Sequence, residues 1–123
     1  LALLEIAESP SLFLRGMAGS RIPVAVAHGE GRAVFDTGID HSAVDVALRY
    51  VTGDGQVAQA YPANPNGSPG GIAGVSSRDG RATILMPHPE RTLRSANFSW
   101  APRDWPDDSP WQRMFRNARV WLG

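Results

Sequence analysis

The chain has 123 residues, 12 basic and 12 acidic side chains, and no cysteine. Zero net charge gives no electrostatic case for nucleic acid or an anionic membrane as partner, and the missing cysteine removes disulfides and thiolate metal sites from this segment. No run approaches the ~20 apolar residues that span a bilayer, no signal-peptide pattern opens the chain, and the length suits one domain. All 12 basic residues are arginine. That bias suits bidentate capture of phosphate or carboxylate, but genome composition explains it more simply.

Leu1-Ala2-Leu3-Leu4-Glu5-Ile6 reads as a strand with no methionine or polar lead-in, as expected of a segment from a larger protein. Ser9-Pro10 before Ser11-Leu12-Phe13-Leu14 predicts a short helix that Gly16 and Gly19 end. Residues 22–27 form an apolar strand leading into His28-Gly29-Glu30-Gly31. Those two glycines either let the backbone approach a small polar ligand or supply positive φ in a tight turn. Ala33-Val34-Phe35 continues as a strand, residues 40–47 are ambiguous, and His41 has no motif around it.

Val46, Leu48 and Tyr50 alternate as in a strand, and Thr52-Gly53-Asp54-Gly55 signals a hairpin into residues 56–60. Residues 64–71, with two prolines and three glycines, form a fixed-shape loop without a titratable group. Its expected role is to shape a site's rim or a domain interface. A second hairpin joins residues 72–76 to 82–86 through Arg78-Asp79-Gly80. Near the end, Ser109 can cap a helix and Pro110 fits its first position. Trp111, Met114, Phe115, Ala118 and Leu122 then recur at helical spacing, with Arg113, Arg116 and Asn117 on the other side. The stripe predicts packing on a sheet.

The chemistry is concentrated in Met86-Pro87-His88-Pro89-Glu90-Arg91. Each proline biases the preceding residue towards extended backbone, where residues i and i+2 point to the same side. His88 and Glu90 can therefore meet at the end of a strand. A carboxylate there can accept the Nδ1 proton and leave Nε2 free to move protons for a nucleophile. From spacing alone the same residues equally suit a strand-to-loop corner with an ordinary exposed histidine.

The stretch resembles the His-Pro-Glu signature of class I, triad-type glutamine amidotransferases. Three further stretches extend the likeness in order and spacing. They are Ala27-His28-Gly29-Glu30-Gly31-Arg32, Tyr61-Pro62-Ala63-Asn64-Pro65-Asn66-Gly67-Ser68, and Asp108-Ser109-Pro110-Trp111 leading into Met114-Phe115-Arg116-Asn117-Ala118-Arg119. Together they resemble the C-terminal end of the large single-chain phosphoribosylformylglycinamidine synthases, over essentially the whole chain. The resemblance implies an α/β fold, the second half of a class I amidotransferase domain, with a mixed sheet, hairpins and a C-terminal helix. Residues 1–123 would form an incomplete domain whose nucleophile-bearing half lies outside.

The resemblance casts His88 as proton carrier and Glu90 as its orienting partner in a Cys-His-Glu triad that hydrolyses glutamine. The ammonia would serve ATP-dependent conversion of formylglycinamide ribonucleotide to formylglycinamidine ribonucleotide in purine biosynthesis. Glutamine and the remainder of the synthase polypeptide are the implied partners. No cofactor or metal is expected in this segment; ATP and Mg²⁺ belong to the synthase domain. Two alternatives remain: the separate small glutaminase subunit of a multi-protein synthase, and a non-catalytic module with a structural His-Pro-Glu corner. The Trp100-to-Trp111 region looks more like the single-chain enzymes. A serine hydrolase using Ser76 or Ser77 is disfavoured, because Gly74-Val75-Ser76-Ser77-Arg78 lacks the second glycine of a nucleophile elbow.

Overall fold

Ala2, Leu4 and Ile6 alternate with Leu3 and Glu5, so three apolar side chains fall on one face. The computed structural model describes residues 1–27, 31–38 and 45–123. In it, these residues form β1 (Ala2–Ile6), with Leu4 and Ile6 almost fully buried. β2 (Arg21–Val24), β3 (Asp45–Tyr50), β4 (Ile72–Ser76) and β5 (Thr83–Leu85) complete a five-stranded sheet in the order β2-β1-β3-β4-β5. Glu5 pairs with Arg21 across the first ladder, and the Arg21 guanidinium donates to its carboxylate at 2.8 Å. With helix α1 (Gln112–Leu122), the chain is α/β as expected. Every ladder among the described strands is antiparallel, so the parallel pairing of a mixed sheet is not among them.

The second hairpin forms as read, with Gly74 opposite Leu85 and Ser76 opposite Thr83. At its tip, Gly80 has φ +72, and a Cβ there would lie 2.0 Å from the Pro10 carbonyl oxygen. Only glycine fits that approach. The first hairpin turn also forms, its Thr52 amide donating to the Gln56 carbonyl at 2.8 Å. Its return arm is only a bridge between Val51 and Val57, not a strand.

Two expected elements are absent. The segment after Pro10 forms successive turns and no helix: the Leu14 amide donates to the Ser11 carbonyl and the Met17 amide to Leu14, while the Leu12 amide donates to Gly80 and Ser11 Oγ bonds Thr83 Oγ1 at 2.7 Å. Ala33-Val34-Phe35 is not a strand, since the Ala33 amide donates to Ser68 Oγ instead of to a ladder. The uncertain residues 40–44 lie outside the described residues, while Asp45 to Ala47 belong to β3.

Helix α1 forms, but its buried face is rotated from the expected one. Trp111, just ahead of it, and Met114 enter the core, whereas Phe115 and Leu122 are exposed. Asn117, assigned to the outer face, turns inward and its amide donates to the Phe13 and Arg15 carbonyls at 2.8 and 2.9 Å. Those two bonds fix the helix on the 11–17 turns. Further along, Arg81 sits 5.2 Å from the Trp121 ring centroid, joining the helix to the β4–β5 hairpin.

Candidate active site

β5 ends at Leu85, and the Met86 amide extends its pairing by donating to the Ala73 carbonyl at 3.0 Å. Pro87, buried, has no amide with which to continue. His88 takes φ −112 and ψ 80, and Pro89 then opens a single 3₁₀ turn, Pro89–Thr92. The bend brings the two chemical groups together: His88 Nδ1 and Glu90 Oε1 are 2.8 Å apart. A carboxylate can only accept, so this contact puts the proton on Nδ1 and leaves the Nε2 lone pair available. Nε2 has no hydrogen-bond partner among the described residues. With 31% of the His88 side chain and 54% of Glu90 exposed, the pair is reachable from outside.

Backbone and buried hydroxyls hold this corner. The His88 amide donates to the Ala25 carbonyl at 2.9 Å, a bridge that carries the β2 edge past Val24. Thr92, 1% exposed, donates through Oγ1 to the Pro89 carbonyl. Ser109 Oγ donates to the Thr92 carbonyl and the Ser109 amide to Leu93, so the segment before α1 clasps the far side of the turn. Trp111, fully buried, donates from its indole nitrogen to the Pro23 carbonyl at 2.7 Å. Histidine and helix are thus tied to the same strand edge. Sequence reading made Ser109 the helix cap, but α1 begins at Gln112 after Trp111 and Ser109 instead clasps Thr92, 17 positions away.

Residues 1–122 match the family model described as the CobB/CobQ-like glutamine amidotransferase domain. The chain belongs to that family. In three dimensions it is similar to a chain from the structure of PurLQS from Thermotoga maritima, with a TM-score of 0.67 and 30% sequence identity. The likeness covers 99% of this chain and 46% of that one, so this chain spans about half the length of its structural relative.

Around the amidotransferase corner, the other sequence candidates divide. His28, Glu30 and His41 lie outside the described residues. Ser76 Oγ donates to the Ser77 and Ala82 carbonyls and Ser77 Oγ bonds Asp79, so both hydroxyls serve the hairpin turn. The hydroxyl of Ser77 and the backbone amide of Arg81 hold the Asp79 carboxyl below the usual carboxylate range. A cleft of about 710 Å³ lies between the 16–20 turn and α1, but neither His88 nor Glu90 lines it. Among the described residues no three His, Asp or Glu side chains gather as a metal site, and no helix is long and apolar enough to cross a membrane.

Loop 64–71 is held from inside. Asn64, 1% exposed, donates to the Ala58 and Ser68 carbonyls and accepts from the Gly67 amide. The loop in turn grips the chain beyond Gly31: Asn66 Nδ2 donates to the Gly31 carbonyl, and Ser68 Oγ accepts from Ala33. Sequence reading expected a rigid loop. The side chains that reach across 35 residues had no local signal.

Proposed function

We propose that this chain carries the proton-transfer half of a glutaminase triad in phosphoribosylformylglycinamidine synthase. The 2.8 Å contact between His88 Nδ1 and Glu90 Oε1 is the observation that supports the reading most directly. With Nδ1 engaged, Nε2 of His88 draws the proton from a cysteine thiol supplied by the half of the domain outside this chain. The thiolate attacks the glutamine side-chain carbonyl, and His88 returns the proton to the departing ammonia. His88 next takes a proton from the water that hydrolyses the thioester. Glu90 orients the ring and steadies its cationic form. We place ATP and Mg²⁺ in the synthase domain, away from these residues, with cytoplasmic localisation following from purine synthesis.

Two contexts for the chain remain. The region from Trp100 to Trp111 resembles the large single-chain synthases. The separate small subunit of a multi-protein synthase is the alternative, compatible with a structural relative of which this chain covers 46%. In either context the chemistry assigned to His88 is the same.

The test is a pair of rates in the intact synthase, one with glutamine and one with added ammonium salt. His88→Ala should lower the glutamine-dependent rate by roughly 10³-fold or more while leaving the ammonia-dependent rate near its starting value. Equal loss of both rates would make His88 a residue of the scaffold or the domain interface.

A further inference from the structure

Resting on that reading of His88, we infer that Asn66 and Ser68 are positioning residues for glutamine hydrolysis. They act by clamping the chain that returns from the histidine corner. The chain leaves the corner at Ala25, whose carbonyl accepts from the His88 amide. It comes back at Ala33, which lines a small apolar hollow of about 60 Å³ with Gly74, Ile84 and Met86. Met86 stands two residues before His88 on the same extended segment. Ala33 therefore borders the strand end that delivers the histidine.

Nothing in the sheet holds Ala33 there, since its amide enters no ladder; the clamp does. Asn66 Nδ2 donates to the Gly31 carbonyl at 2.6 Å, and the Ala33 amide donates to Ser68 Oγ at 2.9 Å. The Ser68 hydroxyl and amide both donate to Asn66 Oδ1, at 2.8 and 3.1 Å, so the two side chains act as one unit. Ser68 is only 2% exposed, and Asn64 anchors its carbonyl from below. A hydroxyl that donates to Asn66 while accepting from Ala33 has its orientation set. Removing either partner frees residues 31–33 to shift against Met86. A misplacement of about an ångström at a catalytic group can cost roughly 10²-fold in rate.

Asn66→Ala and Ser68→Ala in the intact synthase test this. Each should lower glutamine-dependent kcat roughly tenfold or more, with KM changed less and the ammonia-dependent rate within about twofold. The double variant should be little worse than either single one, because both break the same clamp. Hydrogen exchange at the Ala33 amide should accelerate in Ser68→Ala. Asn66→Asp keeps the acceptor for Ser68 but sets an oxygen against the Gly31 carbonyl, and should behave like Asn66→Ala. Equal loss of both rates with a lowered Tm would assign the clamp to stability alone, and unchanged kcat would remove it from the reaction. If His88→Ala is inactive with glutamine while these variants are not, only this inference falls. If His88→Ala keeps its glutamine rate, the triad reading falls first.

Discussion

The corner is bonded in an order that separates chemistry from support. His88 contributes its ring to Glu90 and its amide to Ala25, and the two bonds do different work. An exposed polar contact of this kind adds only about 0.2–1 kcal/mol of stability, so the Glu90 contact is better explained by orientation than by folding. Glu90→Gln should accordingly lower the glutamine-dependent rate by roughly 10–100-fold, less than His88→Ala, with little change in Tm. Steady-state rates beside thermal melts check both halves of that expectation. A second residue gives a pH signature. Burial pushes the Tyr50 phenol up to about 12, against a smaller downward pull from the Asn66 amide. A phenol raised in the folded state keeps its contribution below the unfolded value near 10, and stability falls as pH rises from there through about 12. The chain has no lysine or cysteine to titrate in that window, and its only other tyrosine, Tyr61, is 81% exposed. Denaturation between pH 9 and 12, compared with Tyr50→Phe, should show an alkaline loss of up to about 3 kcal/mol that the variant lacks.

At the level of elements, long-range bonds decide what local pattern leaves open. Trp111 joins α1 to β2 across 88 residues through one indole bond to Pro23. Trp111→Phe keeps most of the apolar volume but strips that carbonyl of its donor, and should cost about 1–3 kcal/mol in urea unfolding. Gly80→Ala should lower Tm more sharply, because it adds a positive-φ penalty to a collision with the Pro10 carbonyl. The β4–β5 hairpin was legible because Arg78-Asp79-Gly80 specifies its turn within a few residues. The meeting of His88 and Glu90 was legible but not its route: Pro89–Thr92 turns as 3₁₀ instead of running extended, and the bend joins the two side chains. The helix expected after Pro10 was not: the segment closes as i→i+3 turns, docked by the Leu12 amide and Ser11 hydroxyl on partners about 70 residues away. Nor was the rotation of α1, which Asn117 sets by reaching back to Phe13 and Arg15.

Over the whole molecule, the two edges of the sheet differ. The outer side of β2 is occupied by the Ala25–His88 bridge and the Trp111 bond to Pro23. β1 lies between β2 and β3, and Leu4 is fully buried. Apolar surface does remain on the outer strand β5, where Ile84 is 62% exposed, and on Leu1, at 64%. Amide exchange should therefore be slow along β1 and fast along β5. Free exchange in both would contradict this arrangement. On the proposed triad reading, these 123 residues, which hold no cysteine, should also release no ammonia from glutamine on their own, measured by coupled ammonia assay at high protein concentration.

The anchoring of residue 88 through its amide has a consequence for substitution. Any residue except proline can supply that N–H, so replacing His88 should remove the chemistry proposed for it and leave the architecture intact. The domain is built so that losing its trade does not mean losing its shape.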